Sequence, residues 1–180
     1  IFDGNGHTIK GLYVNIDNID AVYYIYASLF GNNQGTIANL GMLDSSITVS
    51  SIYYGGAYAG GIAGANSGTI KNCYNTGNID GNYGAGGILG INTKDGIVDS
   101  CYNVGVISAG SLTGGIIGEN SGGKICNCYN VGLIFNSSTS GGIVGENSGT
   151  IKFCYNIGSI INKGLESGGI VGINKTSGSI

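Results

Sequence analysis

Apolar residues in this chain come in short bursts set between Gly, Asn and Ser, and the bursts repeat. Residues 141–160 read GGIVGENSGTIKFCYNIGSI. The same phrase stands at 60–79 (GGIAGANSGTIKNCYNTGNI), 86–107 (GGILGINTKDGIVDSCYNVGVI) and 114–134 (GGIIGENSGGKICNCYNVGLI), and 168–180 (GGIVGINKTSGSI) begins it again. The second glycine of each pair is Gly61, Gly87, Gly115, Gly142 and Gly169, in steps of 26, 28, 27 and 27 residues. A fixed period of this size marks a solenoid, whose units bury their apolar faces only by stacking.

Within one period, Gly, Asn and Ser favour turns over helix interiors. Ile, Val, Tyr and Thr lie between them in pieces of strand length. The expected fold is all-β: a parallel β-helix of about six coils of 26–33 residues. Each coil is expected to hold two or three short strands around a three-sided section, with each strand pairing with its copy about 4.8 Å away. The general crossover preference makes the helix right-handed. Two inward ladders follow: Ile62, Ile88, Ile116, Ile143 and Ile170 in one, and Ile70, Val98, Ile125 and Ile151 in the other. The glycine pairs stand where variable loops enter buried strands, where Gly allows positive φ or close backbone approach.

Taken in order, residues 1–27 form a lead-in coil around Asp3-Gly4-Asn5-Gly6, and 28–58 a divergent coil in which Gly31, Ile37 and Leu40 align with Gly64, Ile70 and Cys73. Residues 59–180 carry the regular phrase. The segments between phrases (80–85, 108–113, 135–140 and 162–167) vary most, which marks a face of loops. No domain boundary or linker is visible. The chain starts at Ile1 without an initiator Met and stops within a repeat, and so reads as a fragment of a longer protein.

Composition narrows the function. Of 180 residues, 37 are Gly and none is Pro or Trp, which suits many tight corners and excludes a collagen or polyproline segment. The seven cationic residues are all Lys and the net charge is −3, so no basic patch exists for nucleic acid. No apolar run is long enough to span a membrane as a helix. His7 is the sole histidine, so Ser-His-Asp, Cys-His and HExxH arrangements are absent. Cys126-x-Cys128 with one His does not make a zinc set. Neither a metal nor a cofactor is expected. Glu119 and Glu146 occupy one slot in adjacent coils; like charges at strand spacing repel, so they are expected to face water at a corner.

The phrase GG-apolar-apolar-G, then NSGxI, then NCYNxGxI, resembles the GLUG motif of bacterial surface proteins, and the opening FDGNGHTIKGL resembles the coil that leads into such repeats. The resemblance implies a pectate-lyase-like β-helix in a secreted or wall-attached protein, often a large adhesin. It also occurs as an accessory region of secreted zinc peptidases that cleave immunoglobulin A.

The recurrent polar residues read mainly as structure. Cys73, Cys101, Cys128 and Cys154 share a slot with Leu40 and are expected to form an inward thiol column, while Cys126 shares its slot with Asp99 and Lys152 and faces out. Asn75, Asn103, Asn130 and Asn156, and Asn66, Asn120 and Asn147 of the turns, suit amide ladders. Tyr74, Tyr102, Tyr129 and Tyr155 follow the Cys residues. Alternation counted from Ile70 turns them inward; a corner near Asn72 turns them outward as a stripe that stacks on sugars, packs on a partner, or shields strand edges. Two inserts hold Tyr23, Tyr24 and Tyr26, and Tyr53, Tyr54 and Tyr58, 30 residues apart. They form an aromatic patch that either binds a ligand or widens the early core.

Three functions fit. The first is a non-catalytic stalk or adhesive surface, extracellular or at the cell wall, whose partner is a host or matrix glycan or protein or a neighbouring domain. The second is a carbohydrate-binding β-helix working through these tyrosines. The third is an accessory region of a secreted peptidase or polysaccharide-active enzyme.

Overall fold

The computed structural model of the chain describes residues 1–19, 23–51, 56–136 and 138–180. They build five parallel sheets of six strands each, with no helix among them. One coil shows the order: Ala63–Asn66 lies in the first sheet, Thr69–Lys71 in the second, Tyr74–Asn75 in the third, Asn78–Gly81 in the fourth and Gly84–Gly86 in the fifth. The coil is therefore five-stranded, not three-sided. The expectation fell short because strands as short as Tyr74–Asn75 carry no alternation pattern of their own.

Stacking is in register. Ile70 pairs with Ile37 and Val98, Val98 with Ile125, and Ile125 with Ile151, so this inward row puts aliphatic residues over aliphatic ones. Ile62, Ile88, Ile116 and Ile143 are fully buried, as are Ile70, Val98 and Ile125, and Ile170 is half-buried at the end of the stack. Ile116→Ala is expected to cost about 2–5 kcal/mol, the range for a buried aliphatic truncated in a close-packed core. Chemical denaturation would measure it; a loss below that range would show that the row tolerates gaps.

The interior is divided in two. One core holds the Ile62 and Ile70 rows with the Cys73 column. The other, under the fourth and fifth sheets, holds Ile47, Ile79 and Ile107 with small residues such as Ala59 and Ala85. The second glycine of four of the five pairs, Gly61, Gly87, Gly115 and Gly142, meets the Asn of the third sheet across the coil. A Cβ on Gly87 would stand 2.3 Å from Asn103 Cγ, and one on Gly115 would stand 2.4 Å from Asn130 Cγ. These glycines form a waist between the cores. None has positive φ, so close approach is what requires Gly there. The left-handed conformation falls instead on Asn39, Asn72, Ser100, Asn127 and Phe153, which are the corner before each Cys slot.

Two amide ladders run along the stack, the first at the waist and the second at the turn between the first and second sheets. Asn75 Nδ2 donates to Asn103 Oδ1, Asn103 to Asn130 and Asn130 to Asn156, each at 2.9 Å. A second ladder joins Asn33, Asn66, Asn92, Asn120, Asn147 and Asn174 at 2.7–3.1 Å.

Candidate functional site

The left-handed corner at Asn72 and its equivalents reverses the alternation begun at Ile70. Cys73, Cys101 and Cys128 consequently point into the core and the following tyrosines point out. Each thiol in the column donates to the carbonyl two residues earlier: Cys73 to Lys71, Cys101 to Asp99, Cys128 to Cys126 and Cys154 to Lys152, at 3.0–3.2 Å. All five cysteines are free. Burial pushes the Cys101 thiol well up, and its neighbours Cys128 and Cys73 push it further, which keeps it protonated. Cys126 is half-exposed and pairs in register with Asp99 and Lys152, the outward place read from its slot.

The tyrosines beside this column form one stack. Tyr74, Tyr102, Tyr129 and Tyr155 follow at centroid separations of 5.0, 5.0 and 5.1 Å, with ring planes within 6° of parallel. Tyr74 closes the lower end over Gly41, where a Cβ would stand 2.3 Å from its Cζ. Tyr102 and Tyr129 have rings on both faces. The stripe therefore offers edges and hydroxyls outward, and its one uncovered face belongs to Tyr155, which is 51% exposed.

The early tyrosines gather at the outer junction of the first and fifth sheets. Tyr53 and Tyr54 lie outside the described residues. Tyr26 and Tyr58 pair in register with rings 6.1 Å apart, and Tyr24 lies 5.9 Å from Tyr58. Tyr83, which the sequence reading left out, joins edge-on at 5.3 Å from Tyr58. Its signal was present: it sits in the variable segment one coil beyond the inserts. Exposure grades across the group, with Tyr58 at 3%, Tyr26 half-buried, Tyr24 at 62% and Tyr23 at 82%. The cluster thus both fills the junction and presents rings to solvent.

Tyr58 fits because Gly84 in the next coil leaves room, since a Cβ there would stand 2.7 Å from the Tyr58 ring. Its hydroxyl passes on to donate to Glu119 Oε2 at 2.6 Å. Glu119 and Glu146 do not lie at a water-facing corner as expected. They are paired within the first sheet and are half-buried. Two partners offset the repulsion, since Tyr58 serves Glu119 while Lys175 Nζ approaches Glu146 Oε2 at 3.1 Å.

Burial raises the Glu119 pKa; the Tyr58 hydrogen bond opposes this and the Glu146 charge adds to it. A carboxyl raised in the folded state costs stability as pH climbs through its unfolded value of about 4.3. Glu119→Gln keeps an acceptor for Tyr58 and removes the titration. Its melting temperature relative to wild type should therefore rise as the pH is raised from about 4 towards neutrality. An unchanged difference across that range would place the carboxylate in water.

No group of three or more His, Cys, Asp or Glu residues suited to a metal occurs among the described residues, and no helix there is long and apolar enough to cross a membrane.

Comparison with known proteins agrees with this architecture. Over 90 residues, 49% of the chain, it is 34% identical to halomucin of Haloquadratum walsbyi, and it spans 1% of that protein's length. The crystal structure of a Bacteroides ovatus protein named as a candidate immunoglobulin A1 protease superposes on 97% of this chain and 68% of its own, with a TM-score of 0.66 and 22% identity, a likeness of fold. Residues 55–80 match the family model of the GLUG motif. The chain is a parallel β-solenoid that carries the GLUG motif.

Proposed function

We propose that this chain is a non-catalytic, stiff region of a secreted or cell-surface protein, which spaces or presents the parts of its parent that make contact with other molecules. The observation that carries this reading is the parallel stacking of all five sheets, six rungs deep and in register but for one shift between Ile16 and Ile19 in the first coil, with two amide ladders and a tyrosine stack parallel to the axis. Such a rod resists bending because each coil is bonded to the next through strands of all five sheets, and its adjacent rungs rise by about 4.8 Å. The name of halomucin, which likens it to mucins, supports an extracellular setting. The name of the Bacteroides ovatus protein points to a peptidase parent, in which this region would be an accessory.

The test is to incubate the isolated chain with immunoglobulin A1 and with a panel of polysaccharides. Intact substrates are expected. Cleaved immunoglobulin or newly released reducing ends would overturn the non-catalytic reading.

A second reading rests on the Tyr24, Tyr26, Tyr58 and Tyr83 cluster. Its rings combine apolar faces with polar tips, which suits a neutral glycan or a neighbouring domain. A glycan array would detect it, and Tyr24→Ser should abolish any binding found while leaving the melting temperature near wild type, since Tyr24 is largely exposed.

A further inference from the structure

The geometry points to Tyr74, Tyr102, Tyr129 and Tyr155 as a site of oxidative tyrosine cross-linking, in which one coil of the solenoid is joined covalently to the next. The backbone pairs these residues in register, Tyr74 with Tyr102, Tyr102 with Tyr129 and Tyr129 with Tyr155. The rings are parallel within 6° and 5.0–5.1 Å apart, so corresponding ring atoms recur at about that same separation. Every carbon ortho to a hydroxyl therefore has its counterpart next to it, held there before any reaction starts. The outer edges of the stack reach solvent, most of all at Tyr155.

The reaction needs an oxidant, and hydrogen peroxide used by a haem peroxidase supplies it. Each of two neighbouring tyrosines loses the hydrogen atom of its hydroxyl. The two phenoxyl radicals join through ortho carbons, and the two displaced ring hydrogens return to the oxygens as the rings regain aromaticity. Two electrons and two protons leave the protein and convert one peroxide to two waters. The product is a dityrosine bridging residues 26–28 positions apart, which restricts the unfolded chain much as a disulfide does.

No other tyrosine pair in the described residues is so arranged. Tyr58 and Tyr83 meet edge-on at 78°, and Tyr58 is buried with its hydroxyl committed to Glu119. Tyr26 and Tyr58 are 6.1 Å apart and tilted by 26°. Tyr13 and Tyr23 are well exposed, and they serve as internal comparators for reaction by collision alone. The chemistry does not depend on the stalk reading, but such bridges would lock successive coils of a rod together.

To test it, the dilute folded chain is treated with a haem peroxidase and hydrogen peroxide. It is then examined by dityrosine fluorescence, denaturing gel and peptide mass mapping. The expected product is monomeric and lighter by two hydrogens per bridge, with bridges joining Tyr74–Tyr102, Tyr102–Tyr129 or Tyr129–Tyr155, and it melts higher than the untreated chain. The same treatment in denaturant should give none of these adjacent-coil bridges in preference to others. Tyr102→Phe combined with Tyr129→Phe keeps the rings stacked but leaves Tyr74 and Tyr155 three coils apart, so the intramolecular bridges should vanish. Bridges confined to Tyr13, Tyr23 or Tyr24, products linked only between molecules, an absence of dityrosine, or an undiminished yield in the double variant would each overturn the proposal.

Discussion

Gly115→Ala should destabilise the solenoid by about 3 kcal/mol, the upper end of the usual cost of overpacking a close-packed interior. At roughly 2–4 °C per kcal/mol for a chain of this size, the melting temperature should fall by about 6–12 °C. The added Cβ would stand 2.3 Å from the carbonyl oxygen of Gly142 and 2.4 Å from Asn130 Cγ. The first obstacle is backbone of the next coil, fixed by the sheet hydrogen bonds. The second is an amide held on both sides by its ladder, so neither can swing away. Gly61, Gly87 and Gly142 face the same obstacles, whereas Gly169, in the last coil, has no atom within 4 Å of its Cβ position. Gly169→Ala is therefore the control, and it should melt with the wild type. Calorimetry on the two variants decides the matter, because equal melting temperatures would remove the waist as the reason for these glycines.

That contrast also shows what the sequence could and could not say. The need for Gly at Gly61, Gly87, Gly115 and Gly142 was readable, because stacked coils give equivalent residues equivalent surroundings, and Gly169 escapes it only because no further coil lies above it. The reason was not readable. The contact between Gly115 and Asn130 crosses the coil between residues whose patterns are independent, and only the folded path shows that the interior narrows there. The corner before each Cys was partly legible. Asn tolerates the left-handed region, yet Ser100 and Phe153 occupy the same corner, so residue type alone does not define it. Inward Cys and outward Tyr were legible through the Leu40 equivalence, and they needed that corner to be consistent. In the candidate site, the Tyr58–Glu119 bond joins residues 61 positions apart, two coils away from each other, and no repeat carries it. Glu119 was misplaced because repulsion from Glu146 was weighed without its partners.

Asn103 supports the other large effect. Its side chain accepts from Asn75 Nδ2 at 2.9 Å and from the Gly105 amide at 3.1 Å, and it donates to Asn130 Oδ1 and the Gly105 carbonyl, each at 2.9 Å. The residue is fully buried. Asn103→Ala leaves four polar groups short of a partner, each able to cost about 1–3 kcal/mol. Several keep a second bond, so a total of about 3 kcal/mol or more is expected.

Asn103→Asp separates the hydrogen bonds from simple filling of space, because it preserves the shape. Its second oxygen would face the Asn130 and Gly105 oxygens that the amide now serves, with its charge buried at the waist. Both effects raise the folded pKa above the unfolded value of about 3.9. Below that value the carboxyl is protonated in both states, and its one proton still serves one of the two acceptors. As pH rises, the unfolded chain releases the proton first, so stability falls with pH until the folded group also ionises. The deficit of Asn103→Asp against wild type should therefore be small near pH 3 and grow steadily towards pH 7. A deficit that stays constant, or shrinks, over that range would mean the carboxylate finds water or a cation at the waist, and that the ladder is not the closed structure described.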